Sequence, residues 1–241
     1  RIPLFEHAIA GSRSTGKDEQ HRRAHFGHGY VEGCISNYFL ESAERYNVLI
    51  PLRDLQPNAS FSHIQLHNGT VWKWNRPVIG FSDDQTPHVR LEHRPLSAGP
   101  SVVDCVANAA LFIGLVKYFS DHLDDFERIY PFSVVSKNFY ACGRESFNAP
   151  LVWRNKITDV QSLLLDTLLG YAEKGLSSMG VEDSTIEKYL GMIEQRAARK
   201  LNGALWQIQH MKKHNNDFEK LSKDYLYNQE SLLPLHEWES L

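Results

Sequence analysis

Residues 61–94 read as the sheet-rich part of the chain, whereas beyond about residue 130 apolar positions recur at helical spacing. In "PHVRLEHR" the alternation sends Val89 and Leu91 to one side of a strand and Arg90, Glu92 and Arg94 to the other. "HIQLHNGTVWKWNRP" reads as two strands around Asn68-Gly69, a favoured hairpin dipeptide, and "FSDDQT" as the next turn. "NVLIP" is a short strand closed by Pro51, and Val31, Cys34, Ile35, Tyr38 and Phe39 mark one helix face within residues 30–46. Residues 1–29, rich in Gly, Ser, Arg and His, predict a long loop.

At Pro100-Ser101 the pattern changes. Ser101 and Asp104 form the S-x-x-D capping arrangement of a helix start. The apolar run that follows, Val102 to Val116, is shorter than a bilayer span and carries Asp104 and Asn108, so it predicts a buried helix rather than a membrane one. Further helices are predicted near 133–146, 158–178, 183–213 and 217–229. In the third, Ile186, Leu190, Ile193, Ala197, Leu201, Leu205 and Ile208 make one continuous stripe. Glu194, Arg196, Arg199 and Lys200 read as its solvated face, Cys105 as a core thiol, and Trp72 and Trp74 as packing residues, with adenine stacking as their alternative. The whole predicts an α+β fold. Residues 1–130 hold the sheet and a buried helix, and 131–241 form a helical region completing the same domain.

Composition narrows the partners. The 241 residues are 42% hydrophobic and 23% charged, ordinary for a globular protein, and a net charge of −3 gives no reason to expect nucleic acid. Cys34, Cys105 and Cys142 form no CxxC pair, which suggests neither a disulfide framework nor a thiolate zinc site and fits a reducing, cytoplasmic setting. Asn58-Ala-Ser60 and Asn68-Gly-Thr70 match the glycosylation triplet, a pattern that arises often by chance. Among the 12 histidines, His21, His25 and His28 are spaced for one helix face that would suit zinc. Gly27 and Gly29 oppose that helix, and no Cys or carboxylate completes the set.

The charged strand carries the most specific chemistry. A carboxylate such as Glu92 suits Mg²⁺, which binds oxygen ligands and sits between protein carboxylates and substrate phosphates. Arg90 and Arg94 leave the same strand face, and arginine is shaped to clamp phosphate or carboxylate in a bidentate way. Arg76, on the preceding strand, is placed to join them. A solvated, salt-bridged strand is the alternative.

"LHNGTVWKWNRPVIGF" and then "PHVRLEHRPLSAGPSVVDCVANAALFIGL" resemble the second half of the glutamate–cysteine ligase type 2 and carboxylate–amine ligase family, which has the glutamine synthetase fold. The family's order is an arginine-proline pair, a strand with E-x-R, then an alanine-rich helix. Arg76-Pro77, Glu92-x-Arg94 and the Ala107–Ala110 segment match it. Arg90, Glu92, Arg94 and Asn108 echo an R-x-E-x-R strand and helix of glutamine synthetase itself. "KNFYACGRESFNAPLVW" resembles the family's N-x-x-x-A-x-R segment through Asn138, Ala141 and Arg144, and "NGALWQIQHMKK" and "PLHEW" resemble C-terminal helices of a bacterial subgroup.

The resemblance implies a partial glutamine-synthetase-like antiparallel sheet packed with helices. It also implies an ATP-dependent ligase that joins a carboxylate, typically glutamate, to an amine such as cysteine through an acyl phosphate. On that basis Glu92 and His67 are metal ligands for Mg²⁺, and Arg76 and Arg94 are the catalytic clamps. Arg90 and Arg76 bind phosphate, Arg144 and Asn138 bind substrate, and a basic loop at 21–28 closes over ATP. Members also carry paired metal-binding glutamates on an upstream strand. Here Glu6 and Glu19 stand alone in a loop-like stretch, so the chain is expected to be the C-terminal half of a longer ligase whose N-terminal half is missing. A non-catalytic binding or regulatory module retaining the fold is the alternative. A homo-oligomer is compatible with either reading, and neither needs a membrane.

Overall fold

The computed structural model describes residues 2–9, 22–51, 61–123 and 125–238. It is a mixed α+β structure with small sheets and a helical C-terminal region. By internal contacts it divides into two compact units, Arg1–Ser97 and Ala98–Leu241.

The first unit contains α1 (Ile2–Ile9), β1 (Ala24–His25), α2 (Ser36–Arg45), α3 (Ser62–Gly69), β2 (Trp72–Lys73), β3 (Asn75–Phe81) and β4 (Pro87–His93). β1 pairs in parallel with β2, and β3 with β4 in antiparallel. Three expectations are corrected. "HIQLHNG" is helical, so the segment around Asn68-Gly69 closes a helix rather than a hairpin. Its His/Ile/Gln/Leu order satisfies period two and helical spacing alike, and helix won. Residues 47–51 form no strand, and the N-terminal stretch begins with a helix. The "FSDDQT" turn is present, with Gln85 N–H donating to the Ser82 carbonyl and Ser82 N–H to that of Thr86.

α1 accounts for the tryptophans. Trp74 is fully buried and its indole N–H donates to Glu6 Oε1 at 2.9 Å, while Phe5 stacks on Trp72 at 4.5 Å. Between the two indoles, Lys73 points the other way. It is buried, 3.2 Å from Glu41 and over the Tyr38 ring. Burial lowers its pKa and the Glu41 charge opposes that shift.

The second unit runs through α4 (Val102–His122), α5 (Phe126–Ile129), α6 (Phe132–Glu145), β5 (Pro150–Trp153) and β6 (Lys156–Asp159), an antiparallel hairpin that the sequence reading missed. Its turn uses Arg154 and Asn155, both at positive φ, as the tightest hairpin turns require. Then come α7 (Val160–Leu163), a π-helical stretch Leu164–Leu168, α8 (Leu169–Ser178), α9 (Asp183–Ala198), α10 (Gly203–Lys213) and α11 (Phe218–Glu230). The single helix expected over 183–213 is broken at 199–202. There Lys200 takes positive φ and Asn202 caps α10 by accepting from the Leu205 N–H. Ile208, expected on the buried stripe, is half exposed.

Ser101 caps α4 as predicted, accepting from the Asp104 N–H. The helix packs on α8 at a crossing of small residues. A Cβ on Gly114 would strike the Ala172 carbonyl oxygen, and one on Gly175 the Gly114 carbonyl oxygen, so the two backbones touch. Tyr118 and Tyr171 stack beside the crossing at 4.2 Å. Yet only Asp104, Ala107 and Gly114 of α4 are buried, which corrects the expectation of a buried helix. Val102, Val106, Ile113 and Val116 face outward, and all 21 residues together are long and apolar enough to match a membrane span. Cys105, expected in the core, is exposed.

Candidate functional site

The register of β3 against β4 sets Arg76 opposite Glu92 and Val78 opposite Arg90. The Arg94 N–H continues the ladder to the Trp74 carbonyl at 2.9 Å, which fixes the base of its side chain. Three contacts then converge on one oxygen. Glu92 Oε2 accepts from Arg76 Nε at 3.0 Å and Nη2 at 2.8 Å, and from Arg94 Nε at 3.0 Å. The arginine side chains are 12% and 14% exposed, the glutamate 41%. Partial burial pulls the Glu92 carboxyl upward, but the Arg94 hydrogen bond and the Arg76 and Arg94 charges outweigh it and hold it below the usual range.

Each guanidinium has a second attachment. Arg76 Nη1 donates to the Asn68 carbonyl at 3.2 Å and lies 3.5 Å from those of Gly69 and Val71, capping the end of α3. The Arg94 guanidinium lies 3.9 Å above the Trp72 ring, in a cation–π stack. Its Nη1 is buried with no hydrogen-bond partner. Trp72 Nε1 is buried and unpartnered as well. A shallow cavity of about 340 Å³ opens over Arg76, Val78, Arg90, Leu91 and Glu92.

Of the residues the sequence singles out, Arg76, Glu92 and Arg94 are therefore brought together. Arg90 reaches the same cavity, exposed, its guanidinium passing over Gly80. His67 lies in α3, not on a strand, and its Nε2 faces the Ser42 carbonyl at 3.0 Å. Asn138 and Arg144 lie on α6 of the second unit. Asn138 clamps the backbone of Val152, donating to its carbonyl at 2.9 Å and accepting from its N–H at 3.1 Å, and Arg144 is exposed. Trp72 and Trp74 pack as described, leaving no indole face for adenine on Trp74.

Of the proposed zinc histidines, His21 lies outside the described residues. His25 is in β1, with Nε2 2.6 Å from the Tyr46 hydroxyl and its ring 4.5 Å from that of His28. Burial, then the His28 and Lys73 charges, push the His25 imidazole down to about 3. The Asn58 triplet also falls outside the described residues.

An orphaned buried guanidinium nitrogen fits an anion. Arg94 supplies a donor without an acceptor, and an oxygen of a phosphate is the acceptor best matched to it. Magnesium fits more narrowly. Glu92 Oε2 is engaged by two arginines, which leaves Oε1 as the remaining carboxylate oxygen for a cation, and His67 adds no ligand.

The sequence reading missed a second charged cluster. Asp104 is fully buried, accepting from Ser101 Oγ at 2.8 Å and the Leu235 N–H at 3.0 Å, with Arg196 Nη1 at 3.5 Å. Arg196, expected on a solvated face, is mostly covered, its side chain 12% exposed, and also donates to Asn108 Oδ1 at 2.9 Å. Its partners lie 88 and 92 residues away, beyond any local pattern. No family model, curated protein or solved structure matches the chain.

Proposed function

We propose that the chain is the phosphate-binding part of an ATP-dependent carboxylate–amine ligase of glutamine-synthetase type. The observation that carries the reading is the convergence of Arg76 and Arg94 on Glu92, with Arg94 Nη1 buried and without a hydrogen-bond partner. Arg94 and Arg76 would grip the terminal phosphate of ATP and then the acyl phosphate, where negative charge builds on phosphoryl oxygens. Glu92 orients both guanidiniums, and through Oε1 gives a magnesium ion one protein ligand. Magnesium would neutralise phosphate charge. Arg90 screens the cavity mouth. Glutamate is the proposed carboxylate and an amine such as cysteine the acceptor. The resemblance of the Arg76-Pro77 and Glu92-x-Arg94 segments supports the same reading.

A second reading is favoured by one observation: Arg76 is already engaged by three backbone carbonyls and a carboxylate. That is the pattern of a clamp, and it suits a module that binds a nucleotide without cleaving it. Calorimetry with Mg-ATP and an ADP-release screen against pairs of amino acids, on the intact gene product, separate the two. The ligase reading expects binding and ADP release, both lost by about tenfold or more in Arg94→Ala, a change worth about 1.4 kcal/mol. Binding without release supports the module. Equal binding by wild type and Arg94→Ala overturns both.

A further inference from the structure

Outside the charged sheet, two grooves stand out. One is lined by Ile35, Phe39, Leu40, Phe61 and Val89, and the other has Glu173, Asp183, Glu187 and Glu194 around a leucine floor. Neither shows what it would hold. The hairpin of α10 and α11 is more specific.

His210 lies in the last turn of α10 and His214 is the residue that ends the helix, its N–H donating to the His210 carbonyl, and their rings lie 4.4 Å apart. Asp224 comes from α11. One ligand atom from each residue lies within 4.8 Å of the other two, and among the described residues this trio alone has that geometry. His210 is fully buried; its Nε2 is 2.8 Å from Asp224 Oδ2, and its Nδ1 is buried without a partner.

We propose that His210, His214 and Asp224 bind one divalent transition-metal ion of the zinc class, which ties α10 to α11. The donor set decides the class. Two imidazoles and one carboxylate suit zinc, cobalt or nickel, whereas magnesium and calcium take oxygen ligands almost alone. Atoms bound to one tetrahedral zinc at about 2.0–2.2 Å stand roughly 3.4 Å apart, so small side-chain rotations close the set. Three protein ligands leave a fourth position to water.

Lys220 is the competitor: its Nζ lies 2.8 Å from Asp224 Oδ2. Its side chain is 43% exposed and can swing into water when a cation arrives.

The site owes nothing to the ligase reading, and its test is separate. The full chain, stripped with a chelator, is titrated with Zn²⁺ by calorimetry and with Co²⁺ by visible absorption. Wild type is expected to take one ion with a rise in Tm. His214→Ala, whose metal-free Tm should match wild type, loses affinity by about a hundredfold, and Asp224→Asn by about tenfold. Lys220→Ala binds several-fold tighter, an increase that a purely structural ion pair does not predict. Absence of binding by wild type, or equal binding by wild type and His214→Ala, overturns the proposal.

Discussion

Arg94 and Arg196 are the same side chain in two settings. Their side chains are 14% and 12% exposed, and each meets a carboxylate. In the second unit that carboxylate, Asp104, is wholly buried and its oxygens also serve Ser101 and the backbone of Leu235. In the first unit the carboxylate, Glu92, is 41% exposed and looks onto a cavity. Each arginine leaves one buried nitrogen without a partner, but on Arg196 it is the inner Nε and on Arg94 the terminal Nη1. A closed network fixes a fold, because no solvent can replace a lost member. An open one is stabilised less by its ion pairs and retains the capacity to bind.

Breaking the closed network should have the largest effect. Asp104→Ala leaves Arg196 buried without its counter-charge and should cost about 3–5 kcal/mol, read from urea denaturation. Next comes packing. Gly175→Ala forces a methyl against the Gly114 carbonyl and should cost about 1–3 kcal/mol. Gly69→Ala, with open space around it in α3, should be neutral or stabilising by up to about 1 kcal/mol.

Acid should then separate the units. His25 titrates near 3 when folded but near 6.5 when unfolded, so protons bind the unfolded chain first. Its contribution is complete above the higher value and is lost as pH falls toward the lower. Denaturation curves followed by a probe in each unit should show the first unit losing more stability between those values. If both weaken together, the contrast fails. The smallest effect is expected at Glu92→Gln, under about 1 kcal/mol at neutral pH given the exposure of the carboxylate. Its carboxyl is held below 4.5, so the difference between wild type and variant is present above that pH. It should shrink as the pH drops through the folded value. A loss as large as that of Asp104→Ala would make the two clusters equivalent.

Local chemistry was legible in the sequence where it is self-contained. Ser101 and Asp104 announce the start of α4, and the β4 alternation puts Arg90 and Glu92 on one face. Residues whose state depends on distant partners were not legible. Nothing near Arg196 predicts Asp104, and nothing near Lys73 predicts that Glu41 and the Tyr38 ring make its burial tolerable. The β5–β6 turn escaped because Arg154-Asn155 lacks glycine, although Asn is one of the few side chains at ease at positive φ. His210 and His214, four apart, were not singled out in the sequence, and Asp224 becomes their neighbour only once α10 and α11 fold back on each other. Arg76 and Glu92 were read as close because a short hairpin sets their register, and that part of the site needed nothing else.

Where α4 crosses α8 the main chains rest on each other, and the contact carries a consequence for how such a sequence can change over time. Elsewhere in the unit a larger side chain can be matched by a smaller one across the way, so substitutions can drift in compensating pairs. At Gly114 and Gly175 there is no smaller residue left to offer in exchange. Those positions can only stay as they are, or the helices must part.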